Sequence, residues 1–229
     1  PKLEAANDSV TLSTLTSNLS SFYQLVGDFE MAIEVCKKSL SYTSSEDHVA
    51  QARIKINLGR NYTELQQHNK ALFYYKEALS LSKKNGNIRN RITAYNNIGT
   101  TYVKLGYFNK GIDNLEKGLL LAKSHTMVGD VAYLEFYISK AFYENKFYKK
   151  AKEFGERSSK MADSLMIMEL MLDNYSLLGN IYEKLNDFKA VNSVLRKHIK
   201  TKNAVGEQYY QKQLTEMEAK YKVDIKEKH

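Results

Sequence analysis

The run Ile98-Gly99-Thr100-Thr101-Tyr102-Val103-Lys104-Leu105-Gly106-Tyr107-Phe108-Asn109-Lys110-Gly111 decides the fold, because its skeleton returns along the chain. Stepping forward by about 40 residues gives Ile138-Ser139, Phe142, Lys146, Tyr148 and Ala151, then Leu178-Gly179, Tyr182, Asn186, Phe188 and Val191. Stepping back gives Leu58-Gly59, Tyr62, Gln66, His68 and Ala71, then Leu19-Ser20, Tyr23, Gly27, Phe29 and Ala32. Self-similarity at a fixed period of this length marks a repeat architecture, in which each unit packs on its neighbours.

Each copy places a small residue (Ser20, Gly59, Gly99, Ser139, Gly179) three positions before an aromatic (Tyr23, Tyr62, Tyr102, Phe142, Tyr182). A second small or slender residue follows nine positions later. One helical turn separates the first pair, so the small residue admits a facing backbone while the ring fills the space beside it. The second small residue does the same on a partner helix. Short breaks at Gly27-Asp28, His68-Asn69, Gly106-Tyr107, Asn145-Lys146 and Asn186-Asp187 have the length that joins antiparallel helices. Between units, Ser44-Ser45-Glu46-Asp47 reads as an N-cap with acids in the first turn, and Asn85-Gly86-Asn87 as a helix end followed by a new cap.

These residues resemble the tetratricopeptide repeat family over roughly residues 13–206, most clearly at Tyr95, Ile98, Gly99, Tyr102, Gly111 and Leu115, and at Tyr62, Ala71, Tyr75 and Ala78. The resemblance implies an all-α, right-handed superhelical solenoid of five helical hairpins. The expected units span about 13–51, 52–91, 92–131, 132–171 and 172–206, forming an array over 1–206, followed by a C-terminal helix over 207–229. The period of about 40 exceeds the family's usual 34, which predicts an extended first helix in each unit, and the proline common at a unit's end is absent. Units of this length, together with the tail Gln213 to Tyr221, look like the sensory arrays of Bacteroidetes-type sensor histidine kinases and helix-turn-helix regulators.

Composition agrees with an all-helical chain: 17 Tyr and 9 Phe supply apolar area, and Pro1 is the one proline. The formal charge of +8 comes from scattered residues such as Lys37-Lys38, Lys83-Lys84 and Lys149-Lys150. Scatter favours solvated helix faces over a nucleic-acid stripe, so a nucleic-acid partner is not the expectation and binding through the basic surface stands as the weaker alternative. One cysteine, Cys36, excludes an internal disulfide and any cysteine-based zinc site, and reads as a buried small hydrophobe. The longest apolar stretch, near Met166 to Leu172, contains Glu169 and is too short to span a membrane. No signal peptide is visible, and the chain begins at Pro1 rather than Met, as a processed or excised product does.

Catalytic motifs are missing: there is no phosphate loop, dinucleotide fingerprint or nucleophile elbow, and His48, His68, His125, His198 and His229 are dispersed. The expectation is a non-enzyme without cofactor or metal that binds a protein or peptide, as the sensory or interaction region of a bacterial regulatory protein or, alternatively, as a constitutive assembly scaffold. In the resembled family the first helix of each unit lines a groove, and helical spacing identifies its face here. The second unit offers Arg53, Asn57, Arg60 and Glu64; the third, Thr93, Asn96, Asn97, Thr100 and Lys104. The fourth offers Tyr133, Tyr137, Lys140 and Glu144, with Phe136 expected in the core and Tyr133 and Tyr143 divided between groove and core. The fifth contributes Asp173, Ser176, Asn180, Glu183 and Lys184. Amides and guanidinium groups suit an extended peptide's backbone and carboxylates, and the aromatics an apolar side chain.

The pattern by which related arrays grip acidic chaperone tails is not met, since Ser17, Ser21, Thr93 and Asn97 stand where Lys, Asn and Arg are required and Asn57 alone fits. Starting one unit later, with Ile56, Arg60, Asn97, Tyr133 and Tyr137, does no better. In the tail, Tyr210, Leu214, Met217 and Tyr221 are spaced as a coiled-coil seam or as the inner face of a capping helix, which leaves a homodimer open. A membrane-bound sensor implies a periplasmic array; a soluble regulator implies a cytoplasmic one.

Overall fold

The computed structural model describes Thr11, Leu15, Thr16 and residues 18–226, with side chains described as far as Glu207. It is all-helical, with no strand among the described residues. Helix α1 covers 18–25, followed by α2 (Phe29–Tyr42), α3 (His48–Glu64), α4 (His68–Lys84), α5 (Ile88–Lys104), α6 (Phe108–Ser124), α7 (Val128–Glu144), α8 (Tyr148–Leu165), α9 (Met168–Lys184) and α10 (Phe188–Lys226). The chain divides into two compact bodies, residues 1–141 and 142–229.

From α3 onward the architecture runs on a half-period. Helices of 17 residues alternate with three-residue breaks, so the long repeat arises from two equal long helices and not, as the period suggested, from an extended first helix. At the middle of each break sits a residue in the left-handed region: Gln66, Gly86, Gly106, Thr126, Lys146, Met166 and Asn186, every twentieth position. The turn closes with a bond from the residue beyond it to the carbonyl five places back, as in Gln67 N–H to Tyr62 O (2.8 Å), Tyr107 N–H to Tyr102 O (2.9 Å) and Phe147 N–H to Phe142 O (2.9 Å). These bonds satisfy carbonyls that a helix end leaves open. The recurring aromatic of the sequence motif is thus also the residue whose carbonyl ends the first helix.

This geometry corrects one break. His68 is already the first residue of α4, and the turn is Leu65 to Gln67, with Gln66 at φ +58° where glycine is the usual occupant. Capping follows sequence more closely. Asp47 accepts a bond from Ala50 N–H (2.9 Å), and Asn87 from Asn90 N–H (2.9 Å). Glu46 and Asp47 precede α3, however, so no acid occupies its first turn.

The small residues meet where the motif places them. Ser20 donates its hydroxyl to the carbonyl of Ala32 (3.2 Å), twelve positions on. A side chain on Gly59 would enter the ring of Tyr75, and one on Gly99 would stand 2.9 Å from the carbonyl oxygen of Gly111. In the first body the core is built from Ile33, Cys36, Ile54, Leu58, Tyr62, Leu72, Tyr75 and Ile98. Cys36 is 2 % exposed and contacts the Ser20 hydroxyl at 2.9 Å, with burial pushing its thiol pKa upward.

Many lysines are used structurally. Lys70 stands over Tyr62, Lys76 over Tyr102, Lys83 over Tyr95 and Lys110 over Tyr107, while in the second body Lys152 covers Tyr182 and Lys197 covers Tyr175. Each cation over a ring contributes about 0.5–1 kcal/mol at exposed sites, which gives the basic excess a role within the helices themselves.

At the C-terminal end, α10 is a single helix of 39 residues. It runs through the expected junction at 206/207 without a break, because Gly206 sits in helical conformation and nothing after it stops the chain. The side chains of Tyr210, Leu214, Met217 and Tyr221 lie outside the described residues, as does His229. No helix among the described residues is long and apolar enough to cross a membrane.

Candidate peptide-binding groove

The expected groove helices of the first body are α3, α5 and α7. Helices α3 and α5 are direct neighbours, joined near their starts by Asn90 Nδ2 donating to the carbonyl of Val49 (3.4 Å). Helix α6 packs between α5 and α7: a methyl group on Gly118 would lie 3.2 Å from Leu134 Cδ2 and 3.3 Å from Tyr95 Cβ. The faces of α3, α5 and α7 turned away from these contacts carry the candidate residues.

On α3, Arg53 and Arg60 are exposed and Asn57 is half-buried, while Ile56, at 4 % exposure, belongs to the core. That burial removes the second register considered for a chaperone-tail clamp. On α5, Asn96, Asn97 and Thr100 are half-buried and Lys104 is exposed. On α7, Tyr133 and Tyr137 are half-buried and Lys140 is exposed. Phe136, 8 % exposed, is core as expected and meets Tyr137 edge to face with centroids 5.3 Å apart. Asn180 and Lys184, exposed on α9, belong to the second body. They align with Arg60 and Glu64 of α3, so Asn180 is not the counterpart of Asn57 and Asn97; that register is occupied by buried Leu177.

Hydrogen bonding separates the candidates. Thr100 donates its hydroxyl to the carbonyls of Asn96 (3.0 Å) and Asn97 (3.2 Å), so it is engaged on its own helix. In contrast, Asn96 Oδ1 and Asn97 Nδ2 are shielded from solvent and have no partner among the described residues. One is an acceptor and the other a donor, the pair that an extended backbone presents. Leaving such a group unsatisfied costs about 1–3 kcal/mol. A ligand that completes both bonds offsets that cost.

Two braces escaped the sequence reading. Lys55, on α3, bonds Glu77 of α4 at 2.7 Å, and Glu135 of α7, 1 % exposed, pairs with Lys123 of α6 at 3.2 Å. Glu135 sits in the apolar run Leu134 to Phe136, and only the helical offset of one position shows that it faces α6. Beneath the groove, Tyr75 is pushed up to about 12 by burial, partly opposed by its bond with the Thr63 hydroxyl (3.2 Å) and by Arg60.

Residues 11–84 and 92–125 match the tetratricopeptide repeat family. The helices within those two stretches match tetratricopeptide repeats. Among curated proteins, outer dynein arm-docking complex subunit 4 of Danio rerio is 29 % identical over 133 residues, covering 58 % of this chain and 27 % of that protein. Response regulator aspartate phosphatase A of Bacillus subtilis (strain 168) is 24 % identical over 193 residues, covering 82 % of this chain and 48 % of that protein. The chain therefore spans less than half the length of both relatives. Among solved structures, BtubC (BKLC) from P. vanneervenii superposes with a TM-score of 0.75 at 20 % identity, over 90 % of this chain and 86 % of that one. A Rap protein complexed with competence and sporulation factor superposes with a TM-score of 0.75 at 17 % identity, over 83 % and 54 %. At these identities the superpositions establish the fold alone, a helical-repeat solenoid.

Proposed function

We propose that the chain is the peptide- or protein-sensing region of a bacterial regulatory protein, and that Asn96 and Asn97 are the centre of its groove. The observation that carries this is the pair of unsatisfied, shielded amide atoms at adjacent positions of α5, a helix of the expected groove. Arg53, Asn57 and Arg60 on one side supply further donors, and Tyr133 and Tyr137 on the other supply half-buried rings for an apolar side chain. The similarity to a response regulator phosphatase over most of the chain supports a regulatory role. The resemblance of the unit length and tail to sensor kinases supports the same setting, with a periplasmic array if the parent is membrane-bound. In that setting α10, which continues far beyond α9, is the element that a bound ligand displaces, and a homodimer through it is part of the proposal.

The test has two readouts. A random library of extended peptides is selected against the chain, and the selected peptides are titrated by calorimetry against the Asn96→Ala, Asn97→Ala double variant. The variant is expected to lose at least about tenfold in affinity and at the same time to keep or raise its unfolding midpoint, since two uncompensated groups have gone. Peptides that bind the variant as tightly as the original chain would sink the groove assignment. A second reading, assembly docking without sensing, is favoured by the name of the dynein-arm docking relative. It predicts that peptide binding leaves the amide-exchange protection of α10 unchanged.

A further inference from the structure

Between α8, α9 and α10 the second body contains a cavity of about 340 Å³. Stepping by 40 along the second helices aligns Leu79, Leu119 and Ser159 in one register, Lys110, Lys150 and Ala190 in another, and Asp113, Glu153 and Ser193 in a third. Leu119 is 8 % exposed and fills its place; Ser159, 7 % exposed, does not. Three long side chains have become two hydroxyls and a methyl, all lining the same hollow.

The ionised groups around the hollow divide into engaged and open. Glu156 accepts the hydroxyl of Tyr182 (2.7 Å) and stands 3.8 Å from Lys152. Asp163 accepts the hydroxyl of Tyr175 (2.5 Å) and a bond from Lys197 (3.2 Å). Burial, followed by these carboxylates, pushes both tyrosine pKa values upward, so the phenols stay protonated as donors. Both carboxylates are thereby occupied. Ser159, Lys160 and Ser193 line the cavity with no partner among the described residues, and Ser159 is more than nine-tenths buried. Leu178, Ala190 and Val194 supply the apolar wall.

We infer that this cavity binds a small branched aliphatic monocarboxylate. Its carboxylate meets the Lys160 ammonium and the hydroxyls of Ser159 and Ser193, and its hydrocarbon part lies on Leu178 and Val194. A donor set with one free cation, two hydroxyls and no free carboxylate selects an anion, and the apolar wall selects a short hydrocarbon over inorganic phosphate. The site is separate from the groove face. The α9 residues that line it, Leu178 and Tyr182, are buried towards α8 and α10, whereas Asp173, Ser176 and Asn180 are exposed on the other side of the helix.

Isovalerate and its neutral isostere isovaleramide are titrated into the full chain, with backbone amide shifts as the readout. Isovalerate is expected to give saturable shifts confined to α8, α9 and α10, at a dissociation constant of about 1 mM for a ligand of so few atoms. Isovaleramide and the Lys160→Gln variant are each expected to weaken binding about tenfold or more. Ser159→Leu, which restores the residue found at 79 and 119, is expected to abolish binding while leaving shifts elsewhere unchanged. The inference is overturned if isovalerate gives no saturable shifts, if the amide binds as well as the acid, or if Ser159→Leu binds undiminished. Should Ser159→Leu fail to fold, Lys160→Gln, at an exposed side chain, decides alone.

Discussion

The hairpins α5/α6 and α9/α10 carry the same glycine at the same register and use it differently. Gly99 faces Gly111 backbone to backbone, and each would bring a methyl group to 2.9 Å from the other's carbonyl oxygen. Gly179 has Val191 twelve positions on, and a methyl there would meet nothing nearer than Val194 Cγ2 at 3.8 Å. A small residue therefore closes a hairpin only when the residue twelve positions on is also small. The same looseness in the second body goes with the hollow beside α10. One hairpin is closed by backbone contact, and the other keeps room.

One substitution made in both places tests this most strongly. Gly99→Ala adds a methyl that neither the Gly111 carbonyl nor buried Leu115 can avoid, and overpacking of this kind costs about 3 kcal/mol at its upper end. Gly179→Ala meets only ordinary contact distance, so the gain in helix propensity remains and stability rises by about 0.5–1 kcal/mol. Urea unfolding of the two variants should move the midpoint in opposite directions. Equal destabilisation by both would show that α9/α10 is as closed as α5/α6.

Tight packing in the first body also has a pH signature. Tyr75, against Gly59, has its pKa raised from about 10 in the unfolded chain to about 12 in the folded one, chiefly by burial. Because the folded state holds that proton more firmly, the contribution is complete below pH of about 10 and is lost as pH rises towards about 12. Two units correspond to about 2–3 kcal/mol. Tyr75→Phe should flatten this part of the alkaline stability profile relative to the original chain. An unchanged slope in the variant would mean that the ring is more solvated than its 2 % exposure indicates.

The sequence made the hairpins legible because the small-aromatic-small spacing is a direct consequence of two helices touching, and Ser20 with Ala32 and Gly99 with Gly111 touch as that spacing requires. The caps Asp47 and Asn87 were equally legible, since side-chain oxygen three residues before a free N–H is a local requirement. What did not show was long-range. Glutamine, threonine, lysine and methionine carry no signal that they will adopt a left-handed conformation, so the turn at Gln66 was placed too late and the equal lengths of the helices were missed. The groove face could be drawn on a helical wheel, but that Thr100 spends its hydroxyl on its own helix while Asn96 and Asn97 leave amide atoms open depends on rotamers. The Leu119 to Ser159 change was visible in the aligned repeats; its meaning required knowing which side chains surround it.

The smallest expected effect concerns the turns that both kinds of hairpin share. Thr126 takes φ +53° at the turn between α6 and α7, where Gly86 and Gly106 stand at the equivalent positions of the preceding turns. A β-branched residue there crowds the following carbonyl, at a cost of about 1–2 kcal/mol. Its hydroxyl recovers little, since its bond at 2.8 Å is to the adjacent carbonyl of His125, which water reaches as well. Thr126→Gly removes the crowding but adds freedom to the unfolded chain, so the net gain should be about 0.5–1 kcal/mol, read as a raised unfolding midpoint. The bond from Met127 N–H to the carbonyl of Ala122 (3.0 Å) does not involve the side chain and should persist, protecting the Met127 amide from exchange as before. A lowered midpoint would show that the Thr126 hydroxyl holds the turn more strongly than its conformation strains it.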